Sequence, residues 1–211
     1  GNFKSERSVV QEELRQRVLA EPYGRLFNAI PQASYKVHPY RRPGIGSIEE
    51  LDAASLDDVR AFHATYYRPD NAVLIVTGDF EPAQLDAWVD RYFAPIAAPA
   101  DKIPRIDAVE PARAADTKIA VTGPNVPLPA VAITWLIPPA ADADIPALRI
   151  AAALLGSGES SRLHQALVYR QQIAAQVGID TDTRTDTGLL IAYAIASQSK
   201  PLDAVTRALD A

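Results

Sequence analysis

The sequence predicts an α+β fold of two halves, each combining sheet and helices. Three observations carry this. Helical and strand-like periodicities are interleaved along the chain rather than segregated. One proline-rich stretch of little periodicity, Pro95 to Pro111, divides them. An Asp-rich or Gly-Asp turn, a buried strand-like run and a helix recur on both sides of it, which hints at a duplicated unit.

Ser5 to about Ala20 reads as a helix, because Val9, Val10, Leu14 and Val18 form an apolar stripe with steps of four. Pro22 interrupts it, and a second helix is expected from about Tyr23 to Ala33. His38 to Ser47, H-P-Y-R-R-P-G-I-G-S, has turn composition. Ser55, followed by Asp57 and Asp58, reads as a helix start, with a serine cap and two acids favoured by the helix dipole. That helix carries Val59, Phe62 and Tyr66 and ends before Pro69. Asn71 to Phe80 is a near-continuous apolar run closed by Gly78, the pattern of a buried strand. Asp79 to Phe93 then restarts a helix, with Pro82 near its first turn and Leu85, Trp88, Val89 and Phe93 as its inner face.

Beyond the proline-rich stretch, Lys118 to Thr122 and Ala130 to Ile137 read as strands. Ile145 to Leu155 is an alanine-rich helix behind Asp142 and Asp144. Gly156 to Leu163, G-S-G-E-S-S-R-L, lacks the lysine of a phosphate loop and reads as a flexible turn, with Ser160 or Ser161 capping a helix to Arg170. Gly188 to Ile195 is a further strand and Leu202 to Leu209 a last helix. The expected division is 1–94 for the first half, 95–115 for the linker and 116–211 for the second half.

The totals exclude several classes. A length of 211 residues, 48% of them hydrophobic, is enough to bury a core. The net charge of -5 gives no basic excess for nucleic acid or anionic lipid. No apolar run approaches the roughly 18–20 residues that span a bilayer, so no membrane insertion is expected. The chain has no cysteine, which removes disulfides, thiolate catalysis and Cys-type zinc sites, and leaves cytoplasm and periplasm both open. No signal peptide is visible. The chain also has no methionine, so a piece of a longer protein is expected. No G-x-S-x-G marks a serine hydrolase, and nothing selects a carboxylate pair for glycosidase chemistry.

Glu6 and Glu13 stand seven residues apart on the first helix. Seven residues turn about 700° and rise about 10.5 Å, so the two share a face but cannot both touch one metal ion. By spacing alone they read as solvated acids on an amphipathic helix.

A resemblance gives them another reading. E-R-S-V-V-Q-E-E-L resembles a segment of the pitrilysin/insulinase-type zinc peptidases, family M16, which includes the mitochondrial processing peptidase. The resemblance continues in order through H-P-Y-R-R-P-G-I-G, through L-D-D-V-R-A-F-H-A-T-Y-Y-R-P-D-N-A-V-L-I-V-T-G-D-F, and through L-L-G-S-G-E-S-S-R-L, nearly the whole chain. It implies a LuxS/metallohydrolase-like fold in which each half is a mainly antiparallel sheet packed with helices. It implies a zinc metalloendopeptidase in which two histidines of an H-x-x-E-H helix hold the metal and its glutamate activates water. Glu13 then takes the place of the third zinc ligand, and Glu6 that of an assisting acid near the cleft.

No H-x-x-E-H occurs here. His38, His63 and His164 stand apart from one another and read as structural residues. The histidines of the implied site are expected upstream, and this chain is expected to correspond to the family's inactive C-terminal module region. By itself it is expected neither to hold zinc nor to cleave peptides. Many family members place an arginine and a tyrosine seven residues apart on the second half. Alignment puts Val168 and Ala175 there, neither of which can donate from its side chain. A partner subunit, or a homodimer, is therefore expected to supply the pair. The expected substrate is a peptide or protein, and the competing reading is a non-catalytic scaffold or partner subunit of the same family.

Overall fold

The computed structural model describes residues 2–211. In chain order the elements are α1 (Asn2–Leu14), α2 (Gly24–Ser34), α3 (Ile48–Ala53), α4 (Leu56–Tyr66), α5 (Pro82–Tyr92), β1 (Ala130–Ile137), α6 (Ile145–Gly156), β2 (Ala174–Asp182), β3 (Gly188–Ala196) and α7 (Leu202–Asp210). Two π-helical turns, Arg15–Leu19 and His164–Arg170, extend α1 and lead into β2. The fold is α+β.

The three strands form an antiparallel sheet in the order β1-β3-β2. Alternation divides it into two apolar faces. On one, Ala132, Thr134 and Leu136 of β1 stand opposite Tyr193, Ile191 and Leu189 of β3. This face is covered by α2: Ile30, Tyr35 and Leu189 are buried together, and the Phe27 ring meets the Tyr193 ring edge-on at 5.6 Å. On the other face, Val131 and Ile133 stand opposite Ala194 and Ala192. The alanines are small enough for α7 to approach closely and bury Val205 and Leu209, with Leu167 of the second π-helical turn beside them.

Several expectations meet a different structure. Ala72–Thr77 and Lys118–Thr122 belong to no ladder. Both have the composition of strands, yet a strand exists only with a hydrogen-bonded neighbour, and neither finds one among the described residues. The helix expected up to Arg170 is present, with His164–Arg170 wound as a π-helix. Ser161 caps nothing: its hydroxyl is buried without a hydrogen-bond partner. β2, by contrast, is a strand that no sequence pattern announced. The capped start at Ser55 stands as expected, as a reciprocal box in which Ser55 Oγ accepts from the Asp58 N–H and Asp58 accepts from the Ser55 N–H.

Candidate functional site

The sequence places the implied metal ligand on α1. Leu14 is the buried residue that seats this helix. Two polar contacts hold it against the end of α3: Arg7 donates to the Asp52 carbonyl at 3.1 Å, and Gln11 donates to the Asp52 carboxylate at 2.7 Å. Glu6 is exposed and Glu13 half-buried. The Glu13 carboxylate is paired with Arg17 one turn on, at 2.9 Å. With Arg17 77% exposed, solvent screens that pair to a few tenths of a kcal/mol, on the order of 0.3–0.5. The carboxylate could leave it at little cost. A cleft of ≈ 490 Å³ opens beside the end of α1, between Leu14 and Val18 on one side and Arg42, Pro43 and Ile48 on the other.

Among the described residues no three His, Cys, Asp or Glu side chains gather closely enough to hold a metal ion. Glu13 is a single donor, whereas a catalytic zinc takes three protein ligands. The residues present here do not make a zinc site on their own.

Among the described residues none of the three histidines joins Glu13 in a group of three potential ligands. His63 is on α4, its ring stacked on that of Tyr67 at 4.9 Å. His164 begins the second π-helical turn with its Nδ1 buried and unpartnered. His38 is fully buried in a seam the sequence did not reveal. Its Nδ1 accepts from the Tyr40 N–H at 3.2 Å, so in the neutral ring the proton is on Nε2. That nitrogen lies 3.3 Å from the Asp186 carboxylate, without the alignment of a hydrogen bond.

The rest of the seam ties α2 and the turn after it to the three-stranded sheet. Ser34 and Thr134 share a hydrogen bond between hydroxyls at 2.9 Å, and Arg113 donates to both the Thr134 and the Ser34 carbonyls. Arg184 pairs with Asp182 at 2.7 Å and lies over the Tyr40 ring. Burial pushes the Tyr35 hydroxyl up to about 12. The closing piece is Glu110, whose carboxylate accepts from three consecutive N–H groups, those of Lys36 at 2.6 Å, Val37 at 3.0 Å and His38 at 2.9 Å. Burial pulls its acidity the other way, but these donors prevail and hold it below the usual glutamate value. A lone glutamate in a proline-rich stretch gives no sequence signal of such a role.

Val168 is half-buried and packs against the core, and Ala175 stands exposed on β2. Tyr169 is 71% exposed.

Comparison with known proteins gives these sites a context. A family model described as the Peptidase M16 inactive domain matches residues 53–211. The zinc protease PqqE of Helicobacter pylori is 32% identical over 175 residues, which cover 82% of this chain and 39% of that protein. The crystal structure of a protease from Helicobacter pylori matches with a TM-score of 0.90 at 28% identity, over 99% of this chain and 51% of that one. The ferredoxin protease FusC, solved in complex with Arabidopsis ferredoxin, shares the fold with a TM-score of 0.68 at 20% identity, over 99% of this chain and 23% of that one. The chain thus spans less than half the length of its curated relative and about half that of the Helicobacter structure.

Proposed function

The chain belongs to the M16 peptidase family, and from that premise we propose that it is the supporting portion of a longer zinc metalloendopeptidase that hydrolyses peptides or proteins. The match to the inactive domain carries this reading, together with a relative named as a zinc protease. Residues 2–52, with Glu6 and Glu13, precede the matched region. In this reading residues 1–94 end the zinc-side half, 95–115 link, and 116–211 open the second half. Exposed apolar residues one turn apart on α6, Ile150 at 63% and Leu154 at 62%, support an incomplete second half.

In the intact polypeptide Glu13 would be the third ligand of a zinc held otherwise by two histidines outside this chain, and Glu6 would assist from about two helical turns away. Zinc there would polarise the scissile carbonyl and acidify its bound water. The residues of this chain supply one donor only, so no step of hydrolysis is assigned to it alone. Its own contribution is positional: Leu14 and the Asp52 contacts orient α1, and with it Glu13. With Val168 and Ala175 unable to donate, a family partner subunit or a second copy supplies the arginine and tyrosine. The protein-bound FusC supports a protein or peptide as substrate class.

The test is Glu13→Gln in the parental polypeptide. Zinc content should fall well below one per chain, and peptidase activity by more than the ~10–100-fold that a residue supporting a ligand commands. Unchanged zinc and activity would sink the assignment. So would stoichiometric zinc and peptide cleavage by the 211-residue chain alone.

A further inference from the structure

We propose that the proline-rich stretch between the halves is a latch and not a hinge: Glu110 sits as an internal carboxylate ligand in a nest of N–H groups beyond α2, and its seating lays Arg113 across α2 and β1. The proposal rests on the division into halves given above, and not on zinc or on peptide cleavage.

The boundary between the halves needs such a device. Two packed halves move against each other unless their interface is large and apolar. Here the buried apolar cluster between them, among the described residues, is Ile30, Tyr35 and Leu189. Polar ties supplement it. The Ser34 and Thr134 hydroxyls meet at 2.9 Å, the Tyr23 hydroxyl donates to the Leu128 carbonyl at 3.1 Å, and the Tyr40 hydroxyl donates to Asp186 at 3.4 Å.

The stretch itself is not built to swivel. Residues 95–115 hold four prolines, which fix φ, and no glycine. None of them stands at positive φ. Apolar packing contributes little to its placement, since Ile96, Ile106 and Val109 are 52%, 55% and 84% exposed.

Polar pins hold it instead. The Arg68 side chain, 5% exposed, donates to the carbonyls of Pro99 and Asp101 at 2.6 and 2.7 Å. Glu110 accepts from the N–H groups of Lys36, Val37 and His38. Three consecutive donors on one carboxylate make an anion nest. They prevail over the nearby C-terminal end of α2, whose dipole disfavours an anion. Arg113 then spans the boundary. It donates to the Ser34 carbonyl at the end of α2, at 3.3 Å, and to the Thr134 carbonyl of β1. Three residues of chain reach about 10 Å at most, so a seated Glu110 fixes where the Arg113 guanidinium can act.

Spin-label distances test this. The 211-residue chain has no cysteine, so Arg42→Cys beyond α2 and Asp203→Cys on α7 label two exposed positions alone. The distance distribution should be a single narrow peak. Glu110→Ala should broaden it. The same change should speed exchange of the amides of residues 36–38 about 10–100-fold, in this chain and in the parental polypeptide alike. Acetate, and not chloride, should reverse both effects by filling the nest. Pro104→Gly loosens the stretch between its pins and should leave the peak narrow. A broad peak without Glu110→Ala, a narrow one with it, no rescue by acetate, or broadening by Pro104→Gly each overturns the latch. If Glu110→Ala does not fold, Arg113→Ala takes its place, and a peak that stays narrow there overturns the latch as well. None of these readings involves zinc or cleavage. Failure of the latch therefore leaves the peptidase reading standing, and failure of that reading leaves the latch.

Discussion

Glu110 gathers three backbone N–H groups on one carboxylate, far along the chain from where they arise. Such a cluster of donors favours an anion, which is why its acidity rises against the effect of burial. A carboxylate whose folded value is depressed stabilises the protein above its unfolded value, near 4.5, and that stability is lost as pH falls through the folded value. Tyr35 works at the other end. Its folded value of about 12 stands above the ordinary 10.0, so its contribution is complete below pH 10 and is lost as pH rises toward 12. Glu110→Gln keeps an acceptor oxygen but brings an amide donor among donors. It should cost about 1–2 kcal/mol in urea unfolding at neutral pH and flatten the acid limb of the stability profile. An unchanged acid limb would show that Glu110 is not what holds the seam. At this scale little was legible: Glu13 could be singled out by resemblance, whereas Glu110, Asp186 and Tyr35 acquire their roles only from groups that distant chain segments bring to them.

Among the elements, β2 shows how pairing overrides pattern. A-A-Q-V-G-I-D-T-D is poor in strand formers, yet it pairs along β3 and lies under α6. Gln172, at a positive φ of 53°, turns the chain into it. Gly178 is required at its centre. A Cβ there would come within 2.5 Å of the Tyr193 ring, which crosses the strand to accept at its hydroxyl from Gln176 at 3.2 Å. Gly178→Ala should therefore cost about 1–3 kcal/mol and displace the ring from Phe27, visible as a change in the near-ultraviolet circular dichroism. An alanine variant as stable as the parent chain would mean that Tyr193 has room to move. The opposite lesson lies at residues 71–80, where the strand pattern is strong and the ladder absent, because propensity can mark a strand but cannot provide its neighbour. β1, β3, α4 and α7 were legible because each carries its own period, and α4 its own cap.

Across the whole molecule, the packing does not follow the order of the chain. α2 lies far ahead of the sheet in sequence, yet it packs on one face of it beside β1 and β3, while α4 and α5 leave apolar residues exposed. The sheet and α2 should therefore unfold as one unit. Ile30→Ala leaves a cavity against Leu189 and should cost about 2–5 kcal/mol, with the loss of helix and of strand signals coinciding. Strands that melt later than α2 would show that the sheet stands without its cover.

The sequence by itself determined that this is an α+β protein of the M16 family and that it carries no H-x-x-E-H. Those properties reside in composition, local period and short strings, which need no partner to be read. Only the tertiary structure decided that β2 is a strand, that Glu110 and His38 close a seam between α2 and the sheet, and that Ala72–Thr77 stands without a ladder among the described residues. Each of these depends on which distant groups come within hydrogen-bonding reach, and that is settled by packing, not by the pattern of any one segment.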